Sequence, residues 1–283
     1  MTDTSAENRC GTSAGSDIRE WNATSYHRVA NPHVAWGRAV LDRFYLRGDE
    51  TVLDAGCGTG RLTELLLDRL PRGRVIALDQ SANMLELARA SLGHRFGDRV
   101  TYLRRDVLDV DPDRDLEQEV DLVFSTATFH WVRDHPALFR AMFRALKPGG
   151  RLVAQCGGGP NIAAIAGRAM AILRSDRYAP IVGDWPGPWK FASTATTADR
   201  LRAAGFIEVE TELIHAPITM PDADAYREFL TTVVLGTHLE RIGDAALQRE
   251  FIAALVDAGA GDDPPFVLDY WRLNLQARRP TGR

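Results

Sequence analysis

The run Val52-Leu53-Asp54-Ala55-Gly56-Cys57-Gly58-Thr59-Gly60 carries the clearest chemical signal in the chain. Thr51 to Leu53 read as the end of a buried strand, Asp54 closes it, and Arg61 to Leu67 open an amphipathic helix. Glycine has no Cβ, so the backbone there can come close to a ligand. A strand, a tight glycine turn and a helix N-terminus together make a nucleotide-type site. The dinucleotide fingerprint G-x-G-x-x-G does not fit, because Arg61 stands where its third glycine would fall. A P-loop is excluded as well, since no G-x-x-x-x-G-K-[ST] occurs.

Acids at two further positions extend the site. Asp79 lies 19 residues after Gly60 and ends a second strand. An acid at that spacing can accept hydrogen bonds from ribose hydroxyls. Asp54 and Asp79 end adjacent strands and so face one crevice. Asp106, followed by Val107, ends a third strand, where it can accept from an adenine amino group while the next backbone N–H donates to the ring. Gln80 and Met84 stand where they would flank the adenine faces.

These residues need a scaffold of alternating strands and helices. Strands are expected over 51–54, 74–78, 100–103, 120–125 and 151–156. Helices are expected over 61–70, from a Ser81 cap to about Ser91, and from Pro136 to Leu146, where Lys147-Pro148-Gly149-Gly150 ends the last one. The alternation implies right-handed crossovers and an α/β, doubly wound, mostly parallel sheet with ligands at the strand ends. Upstream, Trp21 to Phe44 read as two helices broken at Asn31-Pro32, forming an N-terminal cap. Downstream, helices are expected over 161–175, 197–204, 222–235 and 244–258, a loop over 184–189, and strands over 207–214 and 266–277. The expected organisation is a disordered tail over 1–17, a core with its cap over 18–160, and lid helices plus sheet-completing strands over 161–283.

Taken together, Asp54-x-Gly56-x-Gly58-x-Gly60, Asp79-Gln80-Ser81-x-x-Met84-Leu85, Asp106 and Leu146-Lys147-Pro148-Gly149-Gly150 resemble a class I S-adenosylmethionine (SAM) methyltransferase of small molecules. The resemblance spans roughly residues 20–156. Within that family, Trp21-Asn22-x-x-x-Tyr26, His130-Trp131-Val132 and Cys156-Gly157-Gly158 resemble the trans-aconitate methyltransferase group, which methylates carboxylates of small acids. That group usually has Gln before its Trp-Val pair, whereas this chain has His130. The resemblance implies a seven-stranded Rossmann-like sheet, SAM as cofactor and S-adenosylhomocysteine as product. It implies that Asp54 holds the methionine amino group, directly or through water, and that Gly56 and Gly58 admit the methionine part. It also places Asp79 on the ribose, Asp106 on the adenine amine and Tyr26 over the cofactor. The implied binding set is completed by Cys57, Gly60, Gln80, Met84, Val107 and Ser125, with no metal.

The loop Ser125 to His135, after the fourth strand, would then face the methyl group. His130 is the candidate to bind the acceptor or remove its proton, and Trp131 to donate its indole N–H to an acceptor oxygen. A carboxylate nucleophile is ionised at neutral pH and needs no base, whereas a phenol, hydroxyl or amine often does. Trp185, Trp189 and Phe191 are candidates for an apolar wall, and His27, His33 and Arg133 are weaker candidates for acceptor contacts. The expected activity is methyl transfer to an oxygen, carboxylate or hydroxyl, of a small acid. The alternatives are C-methylation of a quinone-like ring and SAM binding without catalysis.

Composition sets further bounds. The 283 residues carry a net charge of −4 with a pI near 6.0, which gives no electrostatic footprint for nucleic acid. Three cysteines, Cys10, Cys57 and Cys156, form neither a metal-type cluster nor a disulfide framework. No apolar run approaches a membrane span and no signal-peptide core is evident, so a cytoplasmic setting is expected.

Overall fold

The computed structural model describes residues 20–21, 23–29 and 31–282. The expected tail over 1–17, and Cys10 with it, lies outside the described residues. Two short helices come first, α1 (Ala23–Val29) and α2 (Asn31–Leu41). The alternating unit follows: β1 (Thr51–Ala55), α3 (Arg61–Arg69), β2 (Arg74–Asp79), α4 (Ala82–Phe96), β3 (Val100–Arg104), α5 (Pro112–Asp115), β4 (Val120–Thr126), α6 (His135–Ala145) and β5 (Leu146–Gly157). The C-terminal part contributes α7 (Ala163–Leu173), α8 (Ala179–Val182), α9 (Thr194–Ala203), β6 (Ile207–His215) and β7 (Ile218–Thr219). It ends with α10 (Ala223–Phe229), a π turn (Leu230–Val234), α11 (Gly236–Ile242), α12 (Ala245–Ala260), β8 (Val267–Leu268) and β9 (Trp271–Arg278).

Seven strands form one sheet in the order β3-β2-β1-β4-β5-β9-β6. The first five are parallel, and β9 runs antiparallel to both β5 and β6. This is the expected doubly wound α/β sheet, and its order reverses at β1, where such sheets open a crevice at their carboxyl edge. β1 and β4 are apolar on both faces because helices cover both sides. On one side Leu66, Leu67 and Leu92 pack with Val52 and Phe124. On the other, Leu138, Phe139 and Met142 pack with Leu53, Val123 and Leu152. Leu53 has no exposed surface, so truncation to Ala would cost about 2–5 kcal/mol.

Local chemistry sets the helix starts. Ser81 caps α4 by accepting from the Met84 N–H at 3.3 Å, and Asp134 caps α6 by accepting from Ala137 at 2.8 Å. Ser193 caps α9, so that helix begins three residues before the expected Thr197. The C-terminal elements α7, α8, α10, α11, α12 and β8 bury an apolar cluster of their own, including Leu173, Phe229, Phe251 and Leu255.

Three differences from expectation have local causes. The Lys147–Gly150 segment belongs to β5 rather than to a loop after α6. Lys147 is tied to Asp121, and the register shifts between Val120 and Leu122 to absorb the turn. The strand expected over 266–277 is broken between Leu268 and Trp271, and its first piece pairs with β7 instead of the main sheet. The short helices α5, α8 and α11 were not foreseen; none exceeds seven residues, too few for a periodic signal.

Candidate active site

The glycine turn after β1 is held by two backbone bonds, from Gly56 and Cys57 to Leu78 O, each 2.8 Å. Gly56 sits at φ +85°, and a Cβ there would lie 2.1 Å from Thr128 Oγ1. Gly58 sits at φ +55°, and a Cβ there would meet nothing within 4 Å. Gly56 thus closes the turn against the loop after β4, while Gly58 presents bare backbone to open space.

That space is a cleft of about 490 Å³ at the carboxyl ends of β1, β2, β3 and β4, within the range of small-molecule sites. Tyr26, Gly56, Gly58, Asp79, Gln80, Met84, Asp106, Val107 and Trp131 line it. Asp79 Oδ2 accepts from Gly58 N and Oδ1 from Ser81 N, both at 2.9 Å. The Gln80 backbone N–H also bonds this carboxylate, which with about four lone-pair sites still has acceptor capacity to spare. Burial raises the Asp79 pKa, against the lowering effect of these N–H groups. Asp106 Oδ1 accepts from Leu108 N at 2.9 Å.

Four of the expected binding residues do not line the cleft. Asp54 is 2% exposed and accepts from Thr63 Oγ1 at 2.7 Å. Burial, then the neighbouring Asp79 charge, pushes its pKa up to about 7 against the effect of the Thr63 bond. Ser125 spends its hydroxyl on Ala55 O at 2.6 Å, Cys57 is buried, and Gly60 packs against Ala88 and Leu92.

The cap covers the cleft. The Trp21 ring meets Tyr26 and Trp131 edge-on, at 5.3 and 5.5 Å between centroids. His27 Nδ1 lies 3.0 Å from Thr59 Oγ1. Arg61 donates to His27 O and to Asn31 Oδ1. The residue that breaks the dinucleotide fingerprint thus ties the cap to the glycine turn. Glu20, which the sequence reading passed over, accepts from Ser81 Oγ and from the N–H groups of Ala82 and Asn83 at the start of α4.

A second, smaller chamber of about 30 Å³ adjoins the cleft, and Trp21, Tyr26, Ala127 and Trp131 line both. Its own lining includes His33, His130, Trp189, Phe191, Tyr270 and Arg272. His130 sits in the 3₁₀ turn Phe129–Trp131 and is 7% exposed. Its Nδ1 accepts from the Gly157 N–H at 3.2 Å, so the neutral ring carries its proton on Nε2. Burial, then the Arg272 charge, holds the His130 pKa well below its usual value. Burial and Arg272 bring His33 down to about 3. The segment 184–191 folds over this turn: Lys190 N bonds His130 O at 2.8 Å, and the Trp189 and Phe191 rings stack at 5.7 Å. Trp185 instead packs on His238, and Arg133 donates to Gly187 O on the cleft rim. His135 is occupied on both nitrogens, facing Phe129 O and Arg200.

Residues 52–150 match the family model of the methyltransferase domain. A trans-aconitate 2-methyltransferase of Methylobacterium nodulans is 31% identical over 277 residues, spanning 93% of this chain and 99% of its own. The chain belongs to the SAM-dependent methyltransferases, in the trans-aconitate methyltransferase-like group. A second such relative, from Azoarcus sp., is 29% identical to this methyltransferase, over 87% of the chain and 90% of its own length. The phosphoethanolamine N-methyltransferase 2 of Haemonchus contortus, solved with S-adenosyl-L-methionine, shares the methyltransferase fold. Its TM-score is 0.57 at 20% identity, over 91% of this chain and 56% of that one. Among the described residues, no helix of the methyltransferase is long and apolar enough to cross a membrane.

The sequence reading missed Arg272, Tyr270 and Gln155. One signal was present. Arg272 and Asn274 alternate with Leu273 and Leu275 in a strand that proves buried throughout that stretch. Two polar residues at i and i+2 of a buried strand mark a face that meets something polar.

Proposed function

We propose that the cleft holds SAM and that this methyltransferase esterifies a carboxylate oxygen of a small acid seated where cleft and chamber meet. The bare backbone at Gly58 and the remaining acceptor capacity of Asp79 suit a nucleoside carrying an amino-acid tail. Asp79 would take the ribose hydroxyls, Asp106 the adenine amine, and Met84 and Gln80 would border the ring. Asp54 would act from behind the turn, through the backbone or a water. When bound, the cofactor supplies a methyl group already activated by its positive sulfur.

The state of His130 carries the acceptor assignment. Its Nδ1 is occupied by Gly157 N–H and its low pKa keeps the ring neutral. The remaining Nε2–H donates and does not accept. His33 is likewise a weak base. A nucleophile that must first lose a proton would find little help from these two rings, whereas a carboxylate arrives ionised. His130 would orient the acceptor by donating to one of its oxygens. Trp21, Tyr26 and Trp131 would keep water from the junction, where alignment of the reacting groups supplies most of the rate.

The test is incubation with methyl-labelled SAM and a panel of small acids, phenols and amines, read by mass spectrometry. A base-labile methyl ester on an acid is expected. Label found only on carbon or nitrogen would overturn this reading and favour ring C-methylation or an amine acceptor.

A further inference from the structure

Arg272 lies near the start of β9, opposite Gly157 of β5, and only 2% of its surface is exposed. Among the described residues it forms no ion pair with any carboxylate. Its one side-chain hydrogen bond among the described residues runs from Nε to Gln155 Oε1 at 3.3 Å. Gln155 is held in turn, donating through Nε2 to Asn274 Oδ1 at 2.7 Å. The guanidinium lies 4.6 Å from the centroid of the Trp36 ring and 6.0 Å from that of Tyr270. Both rings are apolar faces that tolerate a cation but leave its in-plane donors unused.

Burying a cation is costly unless an anion or a set of acceptors meets it. Here the Nε edge is fixed by Gln155, while the two terminal nitrogens make no hydrogen bond among the described residues. Burial lowers the Arg272 pKa, and the groups that act in the other direction are Cys156, Tyr270 and Tyr26, with no carboxylate among them. Arg272 lines the small chamber and not the cleft. His33, on the same chamber, has Nδ1 buried without a hydrogen-bond partner. At about 30 Å³, the chamber admits a group the size of one or two waters, such as a carboxylate head.

We propose that Arg272 is the specificity-determining residue of the acceptor site, gripping a carboxylate of the acceptor other than the one that is methylated. This rests on the small-acid reading above and sharpens it. Trp21, Tyr26, Ala127 and Trp131 border both spaces, so they mark where the reacting carboxylate sits. A second carboxylate on the same molecule reaches inward to the guanidinium, with the Gln155–Asn274 relay holding the fork in place. An acid with a single carboxylate leaves the cation unmatched and binds poorly.

The experiment is calorimetric titration of trans-aconitate, which has three carboxylates, and of crotonate, which has one, into the protein loaded with S-adenosylhomocysteine. Wild type is compared with Arg272→Met and Arg272→Lys. We expect wild type to prefer trans-aconitate at least tenfold. Arg272→Met should weaken trans-aconitate by about 10- to 100-fold, leave crotonate within about threefold, and leave S-adenosylhomocysteine affinity unchanged. Arg272→Lys keeps the charge without the fork and should fall between. It also keeps the test decisive if Arg272→Met does not fold. Equal trans-aconitate binding by wild type and variant, no wild-type preference over crotonate, or parallel loss of both acids and the cofactor product would overturn the assignment. Failure of the esterification reading would show separately, as absence of methyl ester from a wild type that still binds the polyacid through Arg272.

Discussion

At the large cleft, much of the lining comes from the ends of neighbouring parallel strands and the turns that follow them: Gly56 and Gly58 after β1, Asp79 at the end of β2, Asp106 after β3. The acids there are positioned by backbone N–H groups. The small chamber is built differently. Its lining is gathered from Trp21 and α1, α2, the turn before α6, residues 161–162 and 189–191, the π turn and β9 with the residue before it. A site made of strand tips inherits its geometry from the hydrogen-bonded sheet. A site gathered from distant segments depends on every element that brings them in, so it can change while the sheet frame stays put.

Substitutions can break that contrast. The largest effect is expected at Gly58, where a valine side chain would project into the cleft. Gly58→Val should weaken SAM by about 100-fold or more, a loss near 2.7 kcal/mol, while costing the fold only about 1–2 kcal/mol for the left-handed backbone. Calorimetry and denaturant titration measure the two separately, and unchanged SAM affinity would mean the cleft is not the cofactor site.

A crossed pair of variants tests the separation itself. Asp79→Ala should weaken SAM by about 10- to 100-fold with the acceptor KM little changed. His130→Ala should lower turnover by about tenfold with SAM affinity intact. If SAM binding collapses in the histidine variant, the chamber is part of the cofactor site. The pH–rate profile should show no limb from His130 between pH 6 and 8, because burial keeps that ring neutral.

A separate effect, on folding rather than on binding, concerns stability at low pH. His33 has a pKa of about 3 in the fold, against 6.5 for the free side chain. As pH falls below 6.5, the unfolded chain takes up a proton that the native ring refuses until about pH 3. Stability is therefore fully present above 6.5 and declines toward 3. Replacing the ring by His33→Phe should remove roughly 2–3 kcal/mol of that decline by pH 4.5. Urea unfolding of both proteins at pH 7.5 and pH 4.5 reads the difference, and parallel slopes would show that the ring is hydrated.

Much of the cleft was legible because its chemistry is written in contiguous runs, although Asp54, Cys57, Gly60 and Ser125 lie off its lining. Glycine spacing, an acid after each strand and the strand–helix period are all local properties, so Gly58, Asp79 and Asp106 could be placed at one edge before any contact was known. The same logic misplaced Asp54. A strand-end acid reads as ligand-facing, but Thr63 on the following helix takes up its carboxylate. His130 was singled out from its place after β4, yet its protonation depends on Gly157, 27 residues away.

Taken alone, then, the order of residues determined the alternating strands and helices, the crevice at the strand ends and many of the groups that border it, since hydrophobic periodicity and turn chemistry act over a few residues at a time. Tertiary structure decided the tautomer of His130, the use of Arg61 as a tie to the cap, and the meeting of Arg272 with His33 and Trp36 across more than two hundred positions. Those outcomes hinge on burial and on which partner fills which lone pair, quantities that exist only once distant segments have packed together.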